Sequence, residues 1–396
     1  MLSHGELTSE ESGGVREDAC KYPIFNKIRA TNARAEWSNL MFLFIYLYFY
    51  ILKKGCKNTI FLLPDAFFVF LQRFSIMFYY LNKNGIAQFV VIALLMAWAI
   101  YTVLTQTVIC SAEGQSVLFS KLALFWTNHP LNLKVTVIVM LLLETFLLSH
   151  YYSLNRFSDT QTFIPAVFFL LMMNLGGFLK VITPASITLM FLTLILLVNA
   201  QDENERPVKN RVFTSGLLVG ICSLFDPISL CVILFLLLAL ITHRYSKTKE
   251  IIILFSGVLF VLAYLLSVCF FTDSFPVLAD SIKHLAYFGV IKDFMKLSIY
   301  NYIFLAYTVL VVVYLMIQLK LFYDNKLIVL RKRLVTIHFL TFVSVGMLFL
   351  SGLKLSSGFL YMMIPITMYF SMITLHKNRI ILHDILIVAF YVLLWL

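Results

Sequence analysis

The stretch "GICSLFDPISLCVILFLLLALITHR" occupies Gly220 to Arg244. Asp226 is the sole charge between Val212 and Ile241. As one helix, that run would be about 45 Å long, against about 30 Å of bilayer hydrocarbon. Split at Asp226-Pro227, it gives two helices that are each a little short. The flanking charges decide between the two. Arg206, Lys209 and Arg211 precede the run, and Arg244, Lys247 and Lys249 follow it. A single crossing divides these cations between two compartments, whereas a hairpin gathers all six on one side, as cytoplasmic loops require. Pro suits the first turn of a helix and Asp caps one well. The pair therefore reads as a turn at the outer rim of a membrane.

Composition agrees. Of 396 residues, 61% are hydrophobic and 13% charged, with 38 Phe and 20 Tyr, whereas soluble domains carry about 25% charged residues. The expected class is an all-α polytopic transmembrane bundle. The net charge of +11 sits in short loops between apolar runs, where it sets topology; no nucleic-acid partner is expected, and the lipid bilayer is. The six cysteines show no metal or disulfide spacing. No nucleotide or metalloprotease motif is present, so no cofactor and no metal is expected.

Residues 1–76 are polar or only briefly apolar. "LMFLFIYLYFYIL" is too short to span, and "TIFLLPDAFFVFLQRFSIMFYYL" carries Asp65 and Arg73. Met77 reads as the natural start, with residues 1–76 a weakly structured extension and 77–396 the membrane domain. Eleven spans follow, near 85–109, 135–150, 162–179, 183–199, 212–225, 227–242, 251–271, 300–322, 335–353, 357–375 and 380–396. With the Met77 end inside, the cytoplasmic loops collect fifteen Lys and Arg. Lys83, Arg156, Arg333 and Arg379 are among them. The outer loops receive seven: Lys121, Lys134, Lys180, Lys283, Lys292, Lys296 and Lys354. The C-terminus falls outside.

Two longer outer loops, 110–134 and 272–299, carry amphipathic patterns expected to lie in the outer interface. In the first, Leu118, Leu122 and Phe125 share a face, with Trp126 beside them. In the second, Leu278, Ile282, Leu285, Phe288 and Ile291 do. Such loops either cap the bundle or roof a cavity. In the roofing case Glu113, the lone acid of its loop, is the candidate catalytic base. Lys283, His284 and Lys292 are then the candidate contacts for a substrate phosphate. This architecture is loosely similar to that of membrane glycosyltransferases that use polyprenyl-phosphate sugars, which implies a lipid-linked substrate.

Glu144, in "VTVIVMLLLETFLLSH", lies mid-span, where a charge costs at least about 2.5–3.5 kcal/mol. It reads either as a proton-coupling group or as a protonated Glu bonded to a neighbouring helix. Asn174-Leu175-Gly176-Gly177 allows close helix approach or a local break, packing being the preferred use. His383-Asp384 reads as a head-group pair near the inner end of the last span.

The segments "RFSDTQTFIPAVFFLLMM", "LLVNAQDENERPVKNRVFTSGLLVGICSLFDPISL" and "ALITHRYSKTKE" resemble an uncharacterised multi-pass inner-membrane family of the Bacteroidetes, a domain of unknown function. The shared features are Gly216, Gly220, Leu224-Phe225 and Arg244. The resemblance implies an inner-membrane location and carries no catalytic residues. The expected function is cell-envelope assembly handling lipid-linked glycans. The alternatives are a proton-coupled secondary transporter and a non-catalytic membrane scaffold.

Overall fold

The computed structural model describes residues 85–111, 117–157, 162–200, 207–242, 248–271, 299–323, 328–351, 355–375 and 381–395. All belong to the unit Phe68–Leu396. In chain order these form α1 (Gly85–Thr105), β1 (Ile109–Cys110), α2 (Val117–Asn128), α3 (Pro130–Leu154) and α4 (Ile164–Leu175). Then come β2 (Val181–Ile182), α5 (Pro184–Ala200), α6 (Val208–Phe225), a 3-10 turn (Pro227–Cys231) and α7 (Val232–Thr242). The rest are α8 (Thr248–Phe271), α9 (Ile299–Tyr323), α10 (Ile328–Leu350), α11 (Leu355–Leu375) and α12 (Ile381–Trp395). Among the described residues, seven helices (α1, α3, α6, α8, α9, α10 and α11) are long and apolar enough to cross a membrane. Shorter apolar helices cover Ile164–Leu175, Pro184–Ala200, Pro227–Thr242 and His383–Leu394.

Side-chain contacts fix the direction of nearly every helix. Lys134 Nζ reaches the Leu104 carbonyl oxygen at 2.7 Å, so α3 starts where α1 ends. Gln88 Oε1 accepts from Phe163 N at 2.7 Å, and Asn174 lies against Leu95, so α1 and α4 are parallel. Asn199 bonds Ser215, and Thr188 bonds Asp226, which makes α5 and α6 antiparallel. Tyr361, near the start of α11, also meets Asp226. At the opposite end, Arg333 Nη1 donates to the carbonyl of Asn155 at 2.8 Å. Phe304 packs on Phe359 and Phe390, and Tyr314 on His383, so α9 runs with α11 and against α12. The bundle thus has an Asp226 end and an Arg333 end.

The helix pair α6/α8 settles the geometry of the Asp-Pro stretch. A Cβ on Gly216 would lie 2.2 Å from the Leu254 carbonyl oxygen, and one on Gly257 2.6 Å from that of Phe213. One on Gly220 would lie 2.9 Å from Val261 Cβ. Rising numbers on one helix meet rising numbers on the other, so the two are parallel, with backbones in contact as small residues permit. The chain therefore has to reverse between Phe225 and Thr248, and α7 is the return limb. Asp226 caps the turn, its Oδ1 accepting from Ile228 N at 3.2 Å. It is buried, however, not displayed at a rim. The expected turn is present, and two partners on other helices, Thr188 and Tyr361, bury its carboxylate.

Three further expectations change. In α2 the buried face is Phe119, Ala123 and Trp126, while Leu124 and Phe125 are exposed; the Leu118/Leu122/Phe125 face is off by one residue. Asn174–Gly177 is a break: α4 stops at Leu175 and Gly177 takes φ 67°, a left-handed geometry suited to glycine. His383 and Asp384 are both buried against the bundle instead of facing head groups. Residues 1–84 and the amphipathic segment 272–298 lie outside the described residues.

The core centres on α11, where nearly every residue of Gly358–Leu375 is buried, whereas most residues of α1 and α8 are not. Leu94, Tyr101, Leu259, Phe260 and Tyr264 are exposed, which suits lipid-facing positions of an apolar bundle.

Candidate functional site

Glu144 stands 14 residues into α3 and ten before its end, about 21 Å and about 15 Å along the axis. It is 3% exposed. Its Oε1 meets Thr193 Oγ1 of α5, and the same hydroxyl lies 3.0 Å from the Leu189 carbonyl oxygen. A hydroxyl has one proton and two lone pairs, so it cannot donate to both. With Glu144 ionised, Thr193 donates to the carboxylate. With Glu144 protonated, the acid donates to Thr193 and Thr193 donates to Leu189. A rotation of one hydroxyl serves both forms. Glu144 Oε2 is buried and has no hydrogen-bond partner among the described residues.

Glu144 also lines a cavity of about 40 Å³, large enough for about three waters at roughly 10–15 Å³ each. Its walls are Val137 and Met140 of α3, Phe169 and Met173 of α4, and Leu189 and Met190 of α5, with Phe178, Ile182 and Ser186 completing it. The broken α4 creates this space. Twelve residues carry α4 only about 18 Å. Gly176 then lets the Phe178 ring fold back, a Cβ there falling 2.1 Å from the ring. The chain continues through β2, paired in parallel with β1 at Ile109–Val181 and Cys110–Ile182. Irregular backbone at such depth is tolerated where it lines a cavity or is covered by protein.

The second buried carboxylate is different. Asp226 accepts from Thr188 Oγ1 at 2.8 Å, from Tyr361 OH and from Ile228 N. All three act as donors; Thr188 Oγ1 also lies 3.2 Å from the Pro184 carbonyl oxygen, but the backbone N–H cannot turn away. With three donors in place, this arrangement satisfies a carboxylate more fully than the single hydroxyl at Glu144 does. Pro365 inside α11 cannot bond the Tyr361 carbonyl, which loosens the helix where Tyr361 leans towards Asp226.

A third polar cluster joins α10 to α11. Tyr369 OH lies 2.7 Å from both His338 Nδ1 and Thr341 Oγ1, and Thr341 also bonds the Ile337 carbonyl at 2.8 Å.

Of the residues expected to act, Glu144 is the one the described structure contains. Glu113, Lys283, His284 and Lys292 lie outside the described residues. Sequence reading missed Thr193, Ser186, Thr188 and Tyr361, because a lone hydroxyl in an apolar run carries no signal until its partner helix is known. Among the described residues, no group of three His, Cys, Asp or Glu is placed to hold a metal ion. No known protein family, curated protein or solved structure matches this chain.

Proposed function

We propose that the chain is a multi-pass inner-membrane protein with eleven crossings, and that Glu144 is the coupling group of a proton-coupled secondary transporter. Alternation of helix direction through the bundle supports the eleven-fold threading. The cluster Arg156, Arg331, Lys332 and Arg333 at the Arg333 end supports a cytoplasmic assignment for that end. The Met77 side is then cytoplasmic and the C-terminus outside. The inner-membrane location rests on the family resemblance.

The observation that carries the coupling role is the pairing of Glu144 with a hydroxyl able to serve either protonation state, next to a cavity that Glu144 helps to line. Ionisable groups at this depth that face a cavity mark proton and ion pathways, and broken helices beside them are a transporter feature. The lipid-linked glycan reading depends on Glu113, Lys283, His284 and Lys292, and the described residues add nothing to it.

The test is proton entry into proteoliposomes holding the full chain, read by an entrapped pH dye under an imposed gradient. Pools of amino acids, sugars or nucleosides are added outside. At least one pool should accelerate acidification with the unchanged chain and none with Glu144→Gln. Equal flux in the two proteins under every pool removes the transport reading.

A further inference from the structure

The direction in which the cavity extends from Glu144 adds a property of the same site and rests on the reading of Glu144 as a titrating group. From Glu144 the walls run towards the Asp226 end: back along α3 to Val137, and to Ile182 and Ser186 at the start of α5. On the other side of Glu144 the packing is closed. Leu148 of α3 and Leu196 of α5 are 0% and 2% exposed. Phe168 of α4 is also fully buried, within 5.7 Å of the Phe370 ring and 6.3 Å of the Tyr391 ring.

We infer that the cavity is a proton half-channel, filled by water from the outer face, that delivers protons to Glu144 and stops there. Its ligand class follows from size and donors. About 40 Å³ admits a few waters and no organic solute. The lining side-chain oxygens are those of Glu144 and Ser186, whereas hard metal cations take about six or more oxygen ligands. A proton needs one carboxylate. Hydronium at the mouth passes its proton along the waters to the Glu144 carboxylate and becomes water, while the carboxylate becomes the acid. Thr193 turns from Glu144 to the Leu189 carbonyl as this happens. Ser186, half-buried and 3.4 Å from the Thr183 hydroxyl, lines the cavity at the start of α5, at the proposed mouth.

The experiment uses vesicles of uniform orientation, the orientation verified by protease access to an added terminal tag. An acid jump is applied to one face while the opposite compartment is strongly buffered. Stopped-flow infrared absorption follows the carboxylic C=O band that Glu144→Gln removes. In right-side-out vesicles the band should rise at once. In inside-out vesicles it should rise roughly tenfold more slowly or worse, the factor expected of one added closed barrier. Ser186→Phe, which fills the mouth, should slow the outer response by a similar factor, and Ser186→Ala should not. An equal or faster response from the cytoplasmic face overturns the half-channel, as does an unchanged outer response in folded Ser186→Phe. If that variant fails to fold, the sidedness of the unchanged chain still decides. A band that never responds from either face removes the titrating Glu144 itself, a separate failure.

Discussion

Glu144 and Asp226 are both buried carboxylates, and they have opposite surroundings. Asp226 sits where α5, α6 and α11 converge, held by Thr188, Tyr361 and the Ile228 N–H, the last a donor that cannot turn away. Glu144 sits between α3 and α5 with one hydroxyl partner and an oxygen that has none among the described residues. A fully satisfied buried acid stiffens a fold, because losing it leaves several donors stranded. A half-satisfied one costs stability, and that cost is tolerated where it serves function. Equal burial therefore carries different meanings, and the partners decide which.

Substitutions can break this comparison. The largest effect is expected from Asp226→Ala, which strands the Tyr361 hydroxyl and Ile228 N–H and removes the turn's cap. The loss should be about 2–5 kcal/mol, seen as a collapse of thermal stability in detergent. Gly216→Ala comes next. Its Cβ meets the Leu254 backbone oxygen at 2.2 Å, so α6 must move from α8 and carry Asp226 out of register, at about 1–3 kcal/mol. Tyr361→Phe leaves Asp226 two donors and should cost about 1.5–3 kcal/mol, the range for a bond to a charged group. Glu144→Gln should change stability by less than about 1 kcal/mol, because the amide can still bond Thr193. Should Glu144→Gln destabilise as strongly as Asp226→Ala, the contrast between the sites collapses and Glu144 is a packing residue.

Much of the architecture was legible in the sequence, for physical reasons that can be named. The positive flanks of residues 212–242 demanded a reversal, and the parallel contact of Gly216 and Gly220 with α8 requires the same reversal. Glu144 stood out because a charge in an apolar run is costly. Its partner did not, since Thr193 lies 49 positions away in a run that binds lipid and helix alike. The burial of Asp226 was hidden for the same reason, with Thr188 and Tyr361 at separations of 38 and 135. The face of α2 was misread because "VLFSKLALFWTN" is apolar on almost every side and gives periodicity little to act on. The burial of His383 was hidden because Tyr314, which packs on its ring, lies on α9, far away in sequence.

The central claim is that Glu144 changes protonation while Asp226 does not. Infrared difference spectra of the full chain in lipid, recorded between mildly acidic and mildly alkaline buffer, test it most directly. The account predicts a carboxylic C=O band that appears on acidification, vanishes in Glu144→Gln and persists in Asp226→Asn. A difference spectrum unaltered by Glu144→Gln, or one whose band disappears with Asp226→Asn instead, contradicts it.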